Sequence, residues 1–184
     1  MALTALSTVA FAAGANAQTV TVPVGATVAN DITVAVNQNM EFGTLIAINE
    51  AANTAYIEID TQDTLGTPVS TGGDAKVIAV TGTPTSAEVN LTGVNGADME
   101  LIINNVVNPV DQTVGTDSLT LSNFIYSFDG GTTETPATVG TVFTLTADGT
   151  TQLVEIGARL TTPASATQIA DDTYAGSFDF VASY

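Results

Sequence analysis

Val20, Val22, Val24, Ala26 and Val28 are apolar at every second position, with Thr19, Thr21, Pro23, Gly25 and Thr27 between them. Period two is the pattern of a β-strand with one buried face. Ile32, Val34 and Val36 repeat it, followed by Met40-Glu41-Phe42-Gly43-Thr44-Leu45-Ile46-Ala47-Ile48. Further strands are predicted over 55–60, 76–81, 87–92, 99–104, 119–128, 141–147, 152–160 and 174–184. Turn clusters separate them: Gly66-Thr67-Pro68, Gly72-Gly73-Asp74, Asn95-Gly96, Asp129-Gly130-Gly131 and Asp148-Gly149. Asp148-Gly149, between two alternating runs, predicts a hairpin. A short helical turn is expected near 164–171, and no segment carries a sustained helical period. Many short strands between Gly and Asn turns predict an all-β protein, a β-sandwich. Neither an internal repeat nor a dividing linker breaks the chain, so 31–184 is expected to form one domain.

Charge and residue types narrow the function classes. Two basic against nineteen acidic residues leave a net charge of −17. Such a surface repels phosphate, so no nucleic-acid partner is expected. The chain has no Cys and no His, which removes disulfides, thiol nucleophiles, the usual zinc ligands and the Ser-His-Asp triad. The carboxylates of Asp171-Asp172, Glu41, Glu58 and Asp60 have the chemistry of an acid–base pair, but loop acids usually solvate. No calcium loop of D-x-D-x-D-G spacing occurs. The expectation is a non-enzyme with no catalytic residues, no metal site and no cofactor.

Residues 2–17 read ALTALSTVAFAAGANA and end in Ala15-Asn16-Ala17, a small-x-small cleavage pattern. This resembles a secretory signal, too short to span a bilayer. Cleavage after Ala17 leaves Gln18 first, and the product is expected to be secreted with no membrane span. No Lys or Arg follows Met1, and the competing reading is a retained, buried N-terminal segment. The resulting division is a signal remnant at 1–17, an N-terminal segment at 18–30 and the sandwich at 31–184.

The last predicted strand places Phe178, Phe180, Ala182 and Tyr184 on one face. Core-quality side chains on a strand that ends the sequence leave an edge open to another chain. The segment 19–28, with small apolar side chains on one face, fits the strand-addition mode of recognition. A subunit that gives its strand to the next and takes one from the previous makes a head-to-tail contact, which propagates as a filament. The competing reading folds 19–28 back onto 31–37 through Ala29-Asn30-Asp31.

Met40-Glu41-Phe42-Gly43-Thr44-Leu45 resembles the "LxFGTI" motif of a bacterial family of secreted domains of unknown function. That family is similar to chaperone–usher pilins and the spore-coat protein U group. Tyr174-Ala-Gly176-Ser-Phe178, running on to Tyr184, looks like its closing motif, and Glu155-Ile-Gly157-Ala-Arg-Leu160 resembles its "vGatL" step. The motif positions are thus Phe42, Gly43, Thr44, Gly157 and Gly176. The resemblance implies an incomplete immunoglobulin-like β-sandwich, completed by a donated N-terminal strand, that polymerises into a surface pilus (fimbria) serving adhesion or biofilm. By position, Val20, Val22, Val24, Ala26 and Val28 would be the donor face, and Phe178, Phe180, Ala182 and Tyr184 the acceptor strand. Implied partners are further copies of the chain, a periplasmic chaperone and an outer-membrane usher. The chain departs from many classical pilins in lacking their disulfide. The alternative of another class is a monomeric carbohydrate-binding adhesin domain. Against it, only 6% of residues are aromatic and Trp is absent.

Overall fold

The computed structural model describes residues 31–184; the signal-like segment and the 19–28 alternation lie outside the described residues. Twelve strands follow in order: β1 (Thr33–Gln38), β2 (Thr44–Ile48), β3 (Ala55–Ile59), β4 (Val69–Ser70), β5 (Lys76–Thr81), β6 (Ala87–Thr92), β7 (Asp98–Asp111), β8 (Thr120–Phe128), β9 (Thr135–Ala137), β10 (Phe143–Thr146), β11 (Thr151–Thr161) and β12 (Tyr174–Ser183). Among the described residues there is no helix, and every strand pairing is antiparallel. The chain is all-β and consistent with a β-sandwich.

The larger sheet is built around β11. Residues Thr151–Ile156 pair with β6 and Ala158–Thr161 with β3, while β8 runs along the opposite edge. Two short partners therefore lie end to end beside one long strand. At their junction a Cβ on Gly157 would run into the Ile59 carbonyl oxygen and lie 2.9 Å from Ile125 Cγ1. Only glycine lets both neighbours approach this closely. β1 adds to β6, β4 to β3 and β9 to β8. A second sheet has the order β10-β7-β12, and β2 pairs with β5 in a separate ladder.

Alternation places the core. Ala55, Ile57 and Ile59 of β3 and Ala87, Val89 and Leu91 of β6 are buried, with Tyr56, Glu58, Glu88 and Asn90 between them less so. Met99, Leu101 and Ile103 of β7 are fully buried in the same core. Phe124 of β8 meets Phe178 of β12 edge-on at 5.2 Å, tying the layers together. Such pairs add about 0.5–1.5 kcal/mol beyond burial.

Three expectations change. β10 and β11, on either side of Asp148-Gly149, do not pair; β10 joins β7 and β11 centres the other sheet. The turn itself forms, with Gly149 at φ +82° and Asp148 Oδ1 accepting the Thr150 N–H at 2.7 Å. Turn chemistry reverses the chain locally, but the surface each strand must cover selects its sheet. Residues 164–171 form a loop rather than a helical turn. The strand expected at 99–104 continues to Asp111, because β12 supplies ladder partners along that length.

Candidate functional site

The register of β1 exposes an anomaly. Val34 lies opposite Leu91 and Val36 opposite Val89. Directly paired residues point to the same side of a sheet, so both valines face the sandwich interior. Leu91 and Val89 are 0% and 4% exposed, whereas Val34 and Val36 are 43% and 70% exposed. An inward-facing apolar side chain this open has no layer above it among the described residues.

The space above them is a groove of about 1000 Å³. Its floor includes Ala87, Val89, Leu119, Leu121 and Leu160. Val34 and Val36 of β1 extend this floor; one wall is the 39–43 connection and β2, and the other is β12 with the preceding loop. β12 pairs with β7 along one edge, and β2 with β5 along one edge. Among the described residues neither has a ladder partner on its second edge. The β10-β7-β12 sheet and the β2-β5 ladder thus border the same gap. The lining includes the carboxylates Glu41, Asp171, Asp172 and Asp179 and neither of the chain's two cations.

The sequence-predicted residues divide as follows. Phe178 and Phe180 are half-buried and line the groove. Ala182 packs against the core without lining it. Tyr184 also lies outside the lining; its hydroxyl accepts the Val94 N–H at 2.5 Å, fastening the end of the chain to the β6–β7 turn. Phe42, Gly43 and Thr44 line the groove. Gly43 has φ +73°, and a Cβ there would lie 2.8 Å from the Thr81 carbonyl oxygen. A Cβ on Gly176 would lie 2.5 Å from the Val107 carbonyl oxygen, at a bulge where β12 presses on β7. These glycines serve close backbone approach. Val20, Val22, Val24, Ala26 and Val28 lie outside the described residues. The other acids singled out are spent locally: Glu58 pairs Arg159 at 2.6 Å, and Asp60 Oδ1 accepts the N–H groups of Gln62 and Thr64.

Just past one pole of the groove, beyond the lining residues Ala47 and Ile169, lie groups that periodicity does not reveal. Asn49, just beyond β2, donates its N–H to Gln168 Oε1 at 3.0 Å and accepts from Gln168 Nε2 at 2.6 Å. Its side chain also donates to the Thr167 carbonyl at 3.2 Å. Nearby, the Tyr174 hydroxyl donates to the Ala170 carbonyl at 2.9 Å. Burial raises the Tyr174 pKa, reinforced by the negative charges of Asp117, Asp111 and Asp172.

Asp111 ends β7 and is 2% exposed. Its carboxylate accepts the N–H groups of Val114, Gly115, Thr116 and Asp117 at 2.6–2.9 Å. Those bonds, that of Asp117 foremost and then that of Gly115, hold its pKa down to about 2. A carboxyl depressed in the folded state stabilises the fold above its unfolded pKa, near 3.8. That contribution fades as pH falls through about 2. Asp148 and Asp172 are shifted the same way. Asp111→Asn is therefore expected to be less stable than the parent at pH 7, with the difference closing between pH 4 and 2. Urea midpoints at pH 7, 4 and 2.5 check this; a gap unchanged with pH would contradict it.

A family model described as a domain of unknown function, DUF4402, matches residues 32–184. The chain belongs to the DUF4402 family. The DUF4402 match takes in all twelve strands and every residue lining the groove. The 18–30 segment lies before the DUF4402 match. No curated protein and no solved structure matches the chain.

Proposed function

We propose that this DUF4402 chain is the structural subunit of an extracellular filament built by donor-strand exchange. Each copy lays its residues 18–30 into the groove of the next. The observation that carries this reading is the pair of inward-facing, open valines Val34 and Val36, beside the edge of β12 that has no ladder partner among the described residues. One added strand between β12 and β2 would pair on both sides and merge two separate ladders into one sheet. It would run antiparallel to one wall and parallel to the other, because β2 ends at the pole where β12 begins.

The proposed occupant suits the groove chemically. Residues 18–30, Gln-Thr-Val-Thr-Val-Pro-Val-Gly-Ala-Thr-Val-Ala-Asn, carry no charged side chain. An acidic strand would be repelled by the four carboxylates of the lining. Burying each small apolar side chain contributes up to about 1.5–3 kcal/mol, and each ladder hydrogen bond about 0.5–1.5 kcal/mol net. The sum offsets the cost of association, estimated at about 4–15 kcal/mol. A secreted route with a periplasmic chaperone and an outer-membrane usher fits a subunit whose groove must be shielded before assembly.

The carbohydrate-binding alternative would need an aromatic platform. Phe124, Tyr126, Phe128, Phe143, Phe178 and Phe180 instead pack on one another or on the core. Tyr184, the most open aromatic of the described residues, has its hydroxyl engaged by Val94.

The test is deletion of residues 18–30 in the secreted protein. The parent is expected to run as a ladder of SDS-resistant multimers that collapses only on heating, and the deletion variant as monomer. A parent that is monomeric under all conditions, or a ladder that survives the deletion, would overturn the proposal.

A further inference from the structure

We propose that Gln168 is an end-stop that sets how far a strand can advance along the groove and so fixes its register. The inference rests on the donor-strand reading and assigns a role that neither the family match nor the motifs carry. Gln168 is a positioning residue: it acts by occupying the hydrogen-bonding groups of Asn49, two residues past Ala47, the last residue of β2 in the groove lining.

The geometry comes from two opposed walls. Residues 39–47 form one side, and Tyr174–Val181 with the 169–173 loop the other. At the Asn49 pole the walls are joined, because the Gln168 side-chain amide exchanges two hydrogen bonds with the Asn49 backbone. A primary amide carries the same donor and acceptor as a peptide group. Gln168 thus satisfies Asn49 as a neighbouring strand would, and a strand arriving there finds both groups taken. Asn49 is buried while Gln168 is exposed, so these bonds are made at the margin of the fold, partly shielded from water.

The other pole is different. Val34 and Val181 are both substantially exposed, and among the described residues no hydrogen bond joins β1 to β12. A strand therefore enters from the Val34–Val181 side and stops at Gln168. The span from Tyr174 to Val181 is about eight residues, roughly 26 Å at about 3.3 Å per residue. The alternation from Val20 to Val28 is nine residues long, one residue more than that length. A stop is useful because the apolar face of this donor repeats every two residues. A slip of two positions keeps its valines facing inward, so alternation alone does not choose among such registers.

The absence of cysteine makes the register measurable. Full-length chains carrying Val181→Cys and one further cysteine scanned through positions 19–28 are assembled and oxidised. Disulfides require Cα atoms within about 7 Å, so the donor position giving the strongest intermolecular ladder reads the register. In the parent background one position is expected to dominate. With Gln168→Ala the maximum is expected to move by two residues or to split over two positions of the same face. Gln168→Glu keeps an acceptor for the Asn49 N–H but loses the donor to its carbonyl. It is expected to show the same spread in weaker form, and it carries the test if the alanine variant does not fold. A single unchanged maximum in a folded variant overturns the end-stop while leaving donor-strand exchange intact. No ladder at any donor position in the parent background overturns both.

Discussion

Truncating Phe124 to alanine is expected to cost about 3–5 kcal/mol of folding free energy, the range for a large aromatic removed from a packed core. Phe124 is 1% exposed and among the largest fully buried side chains. It extends from β8 in the larger sheet and meets Phe178 of β12 in the other. The cavity would therefore open between layers, where neither sheet can close it by a rotamer change alone. Phe178 also lines the groove, so the loss extends to the acceptor surface. For a domain of this size each kcal/mol corresponds to roughly 2–4 °C, which puts the fall in melting temperature at about 6–20 °C. Urea denaturation should move the midpoint without changing the slope. A loss under 1 kcal/mol would mean that the two sheets do not depend on this contact.

Val36→Asp is expected to separate folding from assembly. In the subunit alone Val36 is 70% exposed, so the substitution should change stability by no more than about 0.5 kcal/mol, as for an ordinary surface site. In the assembled state the same position would lie beneath the incoming strand. A carboxylate there would be buried without a partner, at a cost of several kcal/mol, and the SDS-resistant ladder should disappear. The control is Val89→Asp. Val89 lies opposite Val36 on the same face and is 4% exposed, so a carboxylate there should unfold the subunit itself. Equal ladders from the parent and a folded Val36→Asp protein would show that nothing covers this valine, and would count against donor-strand exchange.

Several elements are legible residue by residue. The runs at 76–81 and 87–92 are strands over those very residues, and that at 55–60 departs by one residue. In each, the alternation of apolar and polar residues is a local consequence of the pleat. That Phe178 and Phe180 share one strand face is legible for the same reason. Gln168 is not, because a glutamine in a Ser- and Thr-rich loop carries no period, and its partner Asn49 is 119 residues away. Asp111 is likewise silent in sequence, since its role depends on the following backbone curling to present four N–H groups. Asp148-Gly149 was legible as a turn and misleading as a hairpin.

Amino-acid order alone determined most of the longer strands, where the chain reverses, the excess of acidic residues and the lack of charged side chains in residues 18–30. Those properties depend on backbone period, turn conformers and counted charges, all set within a few residues. Tertiary structure alone decided that β6 and β3 share one edge of β11, that β10 and β11 part at their turn, and that Val36 is open while Val89 is covered. In sequence the two valines are equivalent members of alternating runs. They differ only in whether the opposite layer supplies a strand above them, and that depends on the pairing of segments far apart in the chain.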